Sequence, residues 1–96
     1  MEPATAFDAL KPQTYKPVEL TFGDEKPLVA ILTDVRGEGT SDVSLSLRFD
    51  HPAYGLLAKK LGHALVLSID GETYHARLHA IHPEGVNHVA LTARFK

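Results

Sequence analysis

GHALVLSIDGETYHARLHAIHPEGVNHVALTARF, residues 62–95, is the stretch that decides the fold. Apolar residues alternate with polar or small residues in three runs, and this period of two is typical of strands with one buried face. The stretch therefore predicts three consecutive antiparallel strands. The residues predicted to point inward are Leu65, Leu67, Ile69, Tyr74, Ala76, Leu78, Ala80, Val89, Leu91, Ala93 and Phe95.

Two turns separate these strands. Asp70-Gly71 supplies the positive φ angles that a tight hairpin turn requires, and Pro83-Glu84-Gly85 reverses the chain a second time. The first turn has two possible lengths, because a two-residue loop pairs Leu67 with Tyr74 and a four-residue loop pairs Ile69 with Tyr74. Both lengths keep the same side chains facing inward.

Three further strands are predicted upstream. Segments 18–22 and 43–49 alternate apolar and polar residues, whereas 28–35, LVAILTDV, is apolar on both faces, as in a central strand or one that curls through a closed barrel. The segment 36–42, RGEGTSD, is rich in glycine and charge, which predicts a mobile loop. About six antiparallel strands whose edges must be hidden predict an all-β fold, a small barrel or a sandwich.

One short connecting helix is predicted at 53–61. Ala53, Leu57 and Leu61 are four residues apart, which is the spacing of one apolar helix face. Asp50 is the expected N-cap residue and Gly62 the expected C-cap residue.

The length of the chain, 96 residues, predicts a single domain. Residues 18–96 are assigned to the barrel. Residues 1–17 contain three prolines and one short apolar cluster, and so predict an N-terminal arm with one or two helical turns whose order depends on a partner.

Composition excludes several classes of protein. Ten Lys and Arg against twelve Asp and Glu give a net charge of −2, so the chain lacks the basic excess of a protein that binds nucleic acid. It has no cysteine, hence no disulfide framework and no thiolate site. No signal peptide and no membrane-spanning segment are recognised, so no membrane partner is expected.

Six histidines are the most obvious chemical feature. His75 and His79 share one strand face but lie roughly 13 Å apart, too far for two ligands of one zinc ion. His79 and His88 are possible cross-strand neighbours, yet no spacing indicates a third ligand. Since the chain also lacks a nucleophile elbow and a phosphate-binding loop, we expect no metal, no cofactor and no enzymatic activity.

One run of residues matches a known pattern. GHALVL at 62–67 is followed by the apolar and turn residues Tyr74, Leu78, Ile81, Pro83-Glu84-Gly85 and Val89-Ala90-Leu91. With the upstream strands and glycine-rich loop in the same order, the chain resembles the small head-tail joining proteins of long-tailed phages, the lambda-type connector or head-completion family. That family reads Gly-Asp-x-Leu-x-Ile where this chain reads GHALVL, so His63 replaces an acidic residue.

The resemblance implies a structural protein of a phage or prophage. It implies a β-barrel that assembles as a ring between the portal-side connector and the tail, in the virion or the bacterial host cytoplasm, with other neck proteins as partners. The loop and the arm of that family become ordered on assembly. The interaction residues implied for this chain are Arg36, Glu38, Thr40 and Asp42 in the loop, and Asp8, Lys11 and Lys16 in the arm.

Two alternatives belong to other classes of protein. A small ligand-binding or signalling β module predicts a concave pocket with convergent polar groups. A metal-dependent enzyme that uses the histidines predicts a stoichiometric metal ion.

Overall fold

The computed structural model describes residues 8–37 and 42–95. Within these residues, six antiparallel strands form a closed barrel in the order β1-β2-β3-β6-β5-β4, and β1 pairs with both β2 and β4. The small all-β fold is therefore confirmed, and it is a barrel rather than a sandwich. The strands are β1 Pro17–Thr21, β2 Leu28–Arg36, β3 Asp42–Arg48, β4 Ala64–Ile69, β5 Glu72–Pro83 and β6 His88–Phe95.

Apolar side chains fill the barrel, as the alternating pattern predicts, except that Ala80 of β5 is exposed beside the register shift that follows Leu78. Leu45 of β3 lies opposite Leu91 of β6, and Leu67 of β4 lies between Leu20 of β1 and Tyr74 of β5. Each of these four leucines is fully buried. Burial of one such side chain contributes about 1.5–3 kcal/mol, so this leucine-rich interior is the main source of stability.

The β4–β5 hairpin closes through a two-residue turn. Asp70 has a φ of +53° and Gly71 a φ of +83°, the left-handed conformations that this turn demands. Leu67 pairs with Tyr74, so the two-residue alternative is confirmed and the four-residue alternative is wrong.

A register shift between Leu32 and Asp34 interrupts the pairing of β2 with β3. Because a bulge adds one residue to one strand, Leu32 and Val35 both point inward although they are three residues apart. Asp34 and Arg36 consequently lie on the outer face. Of the two readings of this apolar strand, the one that curls through a closed barrel is correct.

The glycine-rich loop is shorter than predicted. Arg36 is the last residue of β2 and Asp42 the first residue of β3, and the pair Arg36 and Ser44 extends the ladder to the end of β2. Backbone pairing with neighbouring strands thus fixes both ends of the segment read as a loop. Residues 38–41 lie outside the described residues.

The connecting helix, α1 Tyr54–Ala58, is also shorter than predicted. Ala53 occupies its N-cap position without a side-chain hydrogen bond, and Lys59 occupies its C-cap position, so the assignment of both caps was wrong. Leu57 is fully buried, and α1 connects β3 to β4, so it covers the end of the barrel at which β3 ends and β4 begins. No helix among the described residues has the length and apolar character needed to cross a membrane.

The segment before β1 covers the opposite end of the barrel. Residues 8–10 are helical and continue into a 3₁₀ helix, Lys11–Gln13, and the Leu10 side chain is fully buried in the core. The backbone N–H of Leu32 donates to the carbonyl of Lys16 at 3.1 Å. Over residues 10–17, the segment assigned to an arm therefore packs against the barrel, while residues 1–7 lie outside the described residues.

Candidate functional site

A group of polar side chains crosses the outer face of β2, β3 and β6. Arg36 pairs with Ser44, and Ser44 pairs with Thr92. The small side chains of Ser44 and Thr92 leave room for the longer side chains around them. We call the connected side chains the outer-face network. They are Lys11, Thr33, Asp34, Arg36, Ser46, Glu84 and His88.

Arg36 is the centre of the outer-face network. Its Nε lies 3.3 Å from Asp34 Oδ2, and its Nη2 lies 3.5 Å from Glu84 Oε2 and 3.4 Å from Ser46 Oγ. The side chain is 59% exposed, and exposed ion pairs stabilise a fold by about 0–1 kcal/mol. These contacts orient the guanidinium more than they stabilise the barrel.

Lys11 ties the N-terminal segment to the same network. Its ammonium donates to the Val35 carbonyl at 2.9 Å and to Asp34 Oδ1 at 3.3 Å. Asp34 Oδ1 also accepts the backbone N–H of Val35 at 2.9 Å. Asp34 therefore lies between two cations, Lys11 and Arg36, and its position is fixed by its own strand.

The third part of the network is a hydrogen-bonded chain that ends at His88. The Thr33 hydroxyl donates to the Ser46 carbonyl at 3.1 Å, and its oxygen lies 2.8 Å from His88 Nε2. Since a hydroxyl has one proton to donate, both contacts are hydrogen bonds when the imidazole carries a proton on Nε2 and donates it to Thr33. The same Nε2 lies 3.8 Å from Glu84 Oε1.

The β5–β6 turn brings Glu84 into this network. The backbone N–H groups of Glu84 and Gly85 both donate to the carbonyl of His88, at 2.8 and 3.0 Å. This arrangement folds the turn back over the barrel wall. Glu84 thereby reaches Arg36 on β2, although β2 and β5 are not paired.

Three open depressions meet at Arg36, with volumes of about 490, 460 and 620 Å³. Lys11 and Asp42 line the first. The third is bordered by Tyr15, whose side chain is 76% exposed and whose φ is +73°, a conformation that non-glycine residues rarely adopt. The site offers cations, carboxylates, hydroxyls and one aromatic ring on an open surface, which suits recognition of a polar partner.

The structure brings together some of the predicted interaction residues. Lys11 and Arg36 both contact Asp34. Asp42 lines the same depression as these two cations and accepts a hydrogen bond from Arg94 Nε at 3.1 Å. Residues predicted separately in the loop and in the arm therefore meet on one surface.

Other predicted interaction residues lie elsewhere. Lys16 forms an ion pair with Asp70 at 3.2 Å and does not join the outer-face network. Asp8 is exposed, and no contact within the described residues connects it to the network. Glu38 and Thr40 lie outside the described residues.

The proposed neighbourhood of two histidines is wrong. His88 pairs with Arg48 of β3, whereas His79 lies at the register shift between Leu78, which pairs with Ala93, and Ala80, which pairs with Thr92. The two imidazoles are therefore several residues apart along the sheet. In residues 8–37 and 42–95, no three His, Asp or Glu side chains are placed to hold a metal ion together.

Sequence reasoning missed Thr33, Asp34, Glu84, His88 and Tyr15 as members of this site. The sequence pattern predicts Glu84 as a turn residue and His88 as an outward strand residue, and both descriptions are correct locally. Their function in the network depends on the β5–β6 turn folding across the barrel, for which the chain carries no local pattern. The one available signal was the concentration of charged residues at both ends of β2.

The fold and the outer-face network define a small closed β-barrel protein with a polar outer wall. Comparison with protein-family models, curated proteins and solved structures found no match for the chain. The function therefore has to be inferred from the geometry of the barrel and from its outer-face network.

Proposed function

We propose that this chain is a non-enzymatic virion-assembly protein of a long-tailed phage or prophage, which joins head to tail as a ring. Its partners are other neck proteins, on the connector side and on the tail side, and further copies of itself. The observation that carries this proposal is the outer-face network, which presents alternating charges on the wall of a closed barrel. It acts in the virion or in the cytoplasm of the bacterial host.

The closed barrel supports assembly through side chains. Because each strand already pairs with two neighbours, the wall leaves little main chain for a partner strand to join. Lys11, Asp34, Arg36 and Glu84 alternate in charge across the face. Such an arrangement directs the encounter and orientation of partners without exposing an apolar patch on the free monomer.

The test of this proposal is the Arg36→Gln variant. We expect its free energy of unfolding to stay within about 1 kcal/mol of wild type, because the side chain is largely exposed. In a phage or lysogen lacking the gene, complementation with Arg36→Gln should yield at least about tenfold fewer particles with joined heads and tails, since one interface contact worth 1.4 kcal/mol changes an equilibrium tenfold. Particles are counted by electron microscopy and by titre.

Lys26→Gln is the matched control, because Lys26 is an exposed cation in the β1–β2 turn that lines none of the three depressions at Arg36. It should restore joined particles to the wild-type level. Full recovery of joined particles with the gene deleted would end the head-tail proposal. Full recovery of joined particles with Arg36→Gln would show that the outer-face network is not needed for joining heads to tails.

The second candidate, a small ligand-binding or signalling module, is favoured by the depressions that converge on Arg36. The largest of the three, about 620 Å³, is bordered by Tyr15, Arg36 and His88, and its size suits a small polar molecule. For an assembly protein, we expect no change in melting temperature with a panel of nucleotides and carboxylic acids at micromolar concentration. An upward shift that Arg36→Gln abolishes would establish the ligand-binding module instead.

A further inference from the structure

Two arginines face each other on the outer wall of β5 and β6. Arg77 pairs directly with Arg94 in the register of the two strands, and both side chains are exposed. Like charges at directly opposed positions of an antiparallel pair destabilise it. The barrel therefore keeps two guanidinium groups side by side at a cost in stability.

Contacts within the chain compensate this pair only in part. Arg94 Nε donates to Asp42 Oδ1 at 3.1 Å, and Arg77 Nη1 donates to the carbonyl of Gly62. In the described part of the chain, Asp42 is the one carboxylate in ion-pair contact with either arginine. Each guanidinium has five N–H donors, so most of the donors on this surface point to solvent.

Apart from Asp42, few acids lie near the two arginines. The outward positions of β4, β5 and β6 carry small, apolar, hydroxyl, imidazole or guanidinium side chains, and the one exposed carboxylate on these strands is Glu72 at the start of β5, five residues from Arg77. On β5, His75 and His79 flank Arg77 at two residues on either side and are likewise exposed. We call His75, Arg77, His79 and Arg94 the basic face.

We propose that the basic face binds an extended acidic segment of a partner protein that carries a carboxylate at every second residue. Alternate side chains of an extended chain are roughly 6.6 Å apart, which is also the spacing from His75 to Arg77. A carboxylate accepts two parallel hydrogen bonds from one guanidinium. This surface is separate from the outer-face network, and the proposal does not depend on the head-tail role.

Protein is favoured over nucleic acid as the partner. Single-stranded nucleic acid binds to aromatic side chains on which its bases stack, and the outward positions of β4, β5 and β6 provide none. The whole chain carries a net charge of −2, which opposes a long phosphate backbone. A short segment with few carboxylates avoids much of that repulsion.

The test measures binding of a fluorescein-labelled peptide of alternating Glu and Ser by fluorescence anisotropy at low ionic strength. Wild-type protein should bind this peptide, and the affinity should fall as salt is added. Arg77→Gln with Arg94→Gln should weaken binding by at least about tenfold, corresponding to the loss of charge-assisted hydrogen bonds. Arg94→Lys, which keeps the charge but loses the planar fork, should bind with intermediate affinity.

The control is Arg48→Gln with Lys59→Gln, which removes the same charge from exposed positions off the basic face. When the variants are compared at about 0.15 M salt, where the Debye length is about 8 Å, it should leave peptide binding within about twofold of wild type. Thermal unfolding checks that each variant is folded. If the variant that combines Arg77→Gln and Arg94→Gln is unfolded, Arg94→Gln alone is used in its place. Absence of wild-type binding, or equal weakening in the control, overturns the proposal. Tighter, arginine-dependent binding of oligothymidylate would overturn it in favour of nucleic acid.

Discussion

Leu45→Ala should lower the free energy of unfolding by about 3–5 kcal/mol, the upper part of the range for buried leucines. Leu45 is fully buried and lies between Val35 of β2 and Leu91 of β6. Because the backbone ladder closes around the barrel, the walls have little freedom to collapse into the cavity that the substitution leaves. The measurement is urea unfolding followed by circular dichroism.

This loss is a large part of the total stability, which for a small domain is about 5–15 kcal/mol. Val29→Ala is the matched control, since Val29 lies on the outer face of β2 and is 55% exposed. It should change the free energy of unfolding by no more than about 0.5 kcal/mol. If both substitutions had the same small effect, the interior would not be packed as described.

Leu10→Ala should lower the free energy of unfolding by about 2–4 kcal/mol, within the range for leucines in a core. Leu10 precedes β1, yet its side chain is fully buried in the core cluster. Removing most of that side chain would open one end of the barrel to water. The result is read from the midpoint of urea unfolding at constant m value.

Lys11→Ala tests the polar contacts of this segment separately from the apolar contact that Leu10 makes with the core. Lys11 is exposed and bonds to Asp34 and Val35, so its loss should cost at most about 1 kcal/mol. A wild-type midpoint for Leu10→Ala would mean that this segment is the detachable arm that the sequence suggests, and that it does not contribute to the stability of the folded unit.

The sequence is sufficient to predict the strands, because alternation depends on a backbone geometry that holds along each strand. It predicts the turn at Asp70-Gly71 for the same local reason, since φ must be positive there. It fails at Thr33, where a bulge shifts Asp34 and Arg36 to the outer face. No residue type marks a bulge, because the extra residue is imposed by barrel curvature.

The candidate site was only half predictable. Lys11 and Arg36 are selected through the resemblance to the head-tail joining proteins, which implies interaction residues in the arm and in the loop. Glu84 and His88 join them only when β6 pairs with β3 and the β5–β6 turn folds back. Contacts between residues that are distant in the chain follow from the closure of the barrel, and local composition does not contain that information.

The closure of the barrel also sets the order of events when the chain is synthesised. Because β3 pairs with β6, Val43 can pair only after Ala93 has been synthesised. In the same way, β1 pairs with β4 only after Leu67, the partner of Leu20, has been synthesised. Until both distant partners have left the ribosome, the β2–β3 hairpin exposes an apolar face and an unpaired edge. The barrel should therefore close only after β6 has left the ribosome and fold slowly for a domain of this size, and shielding of the nascent hairpin by a chaperone would raise the yield.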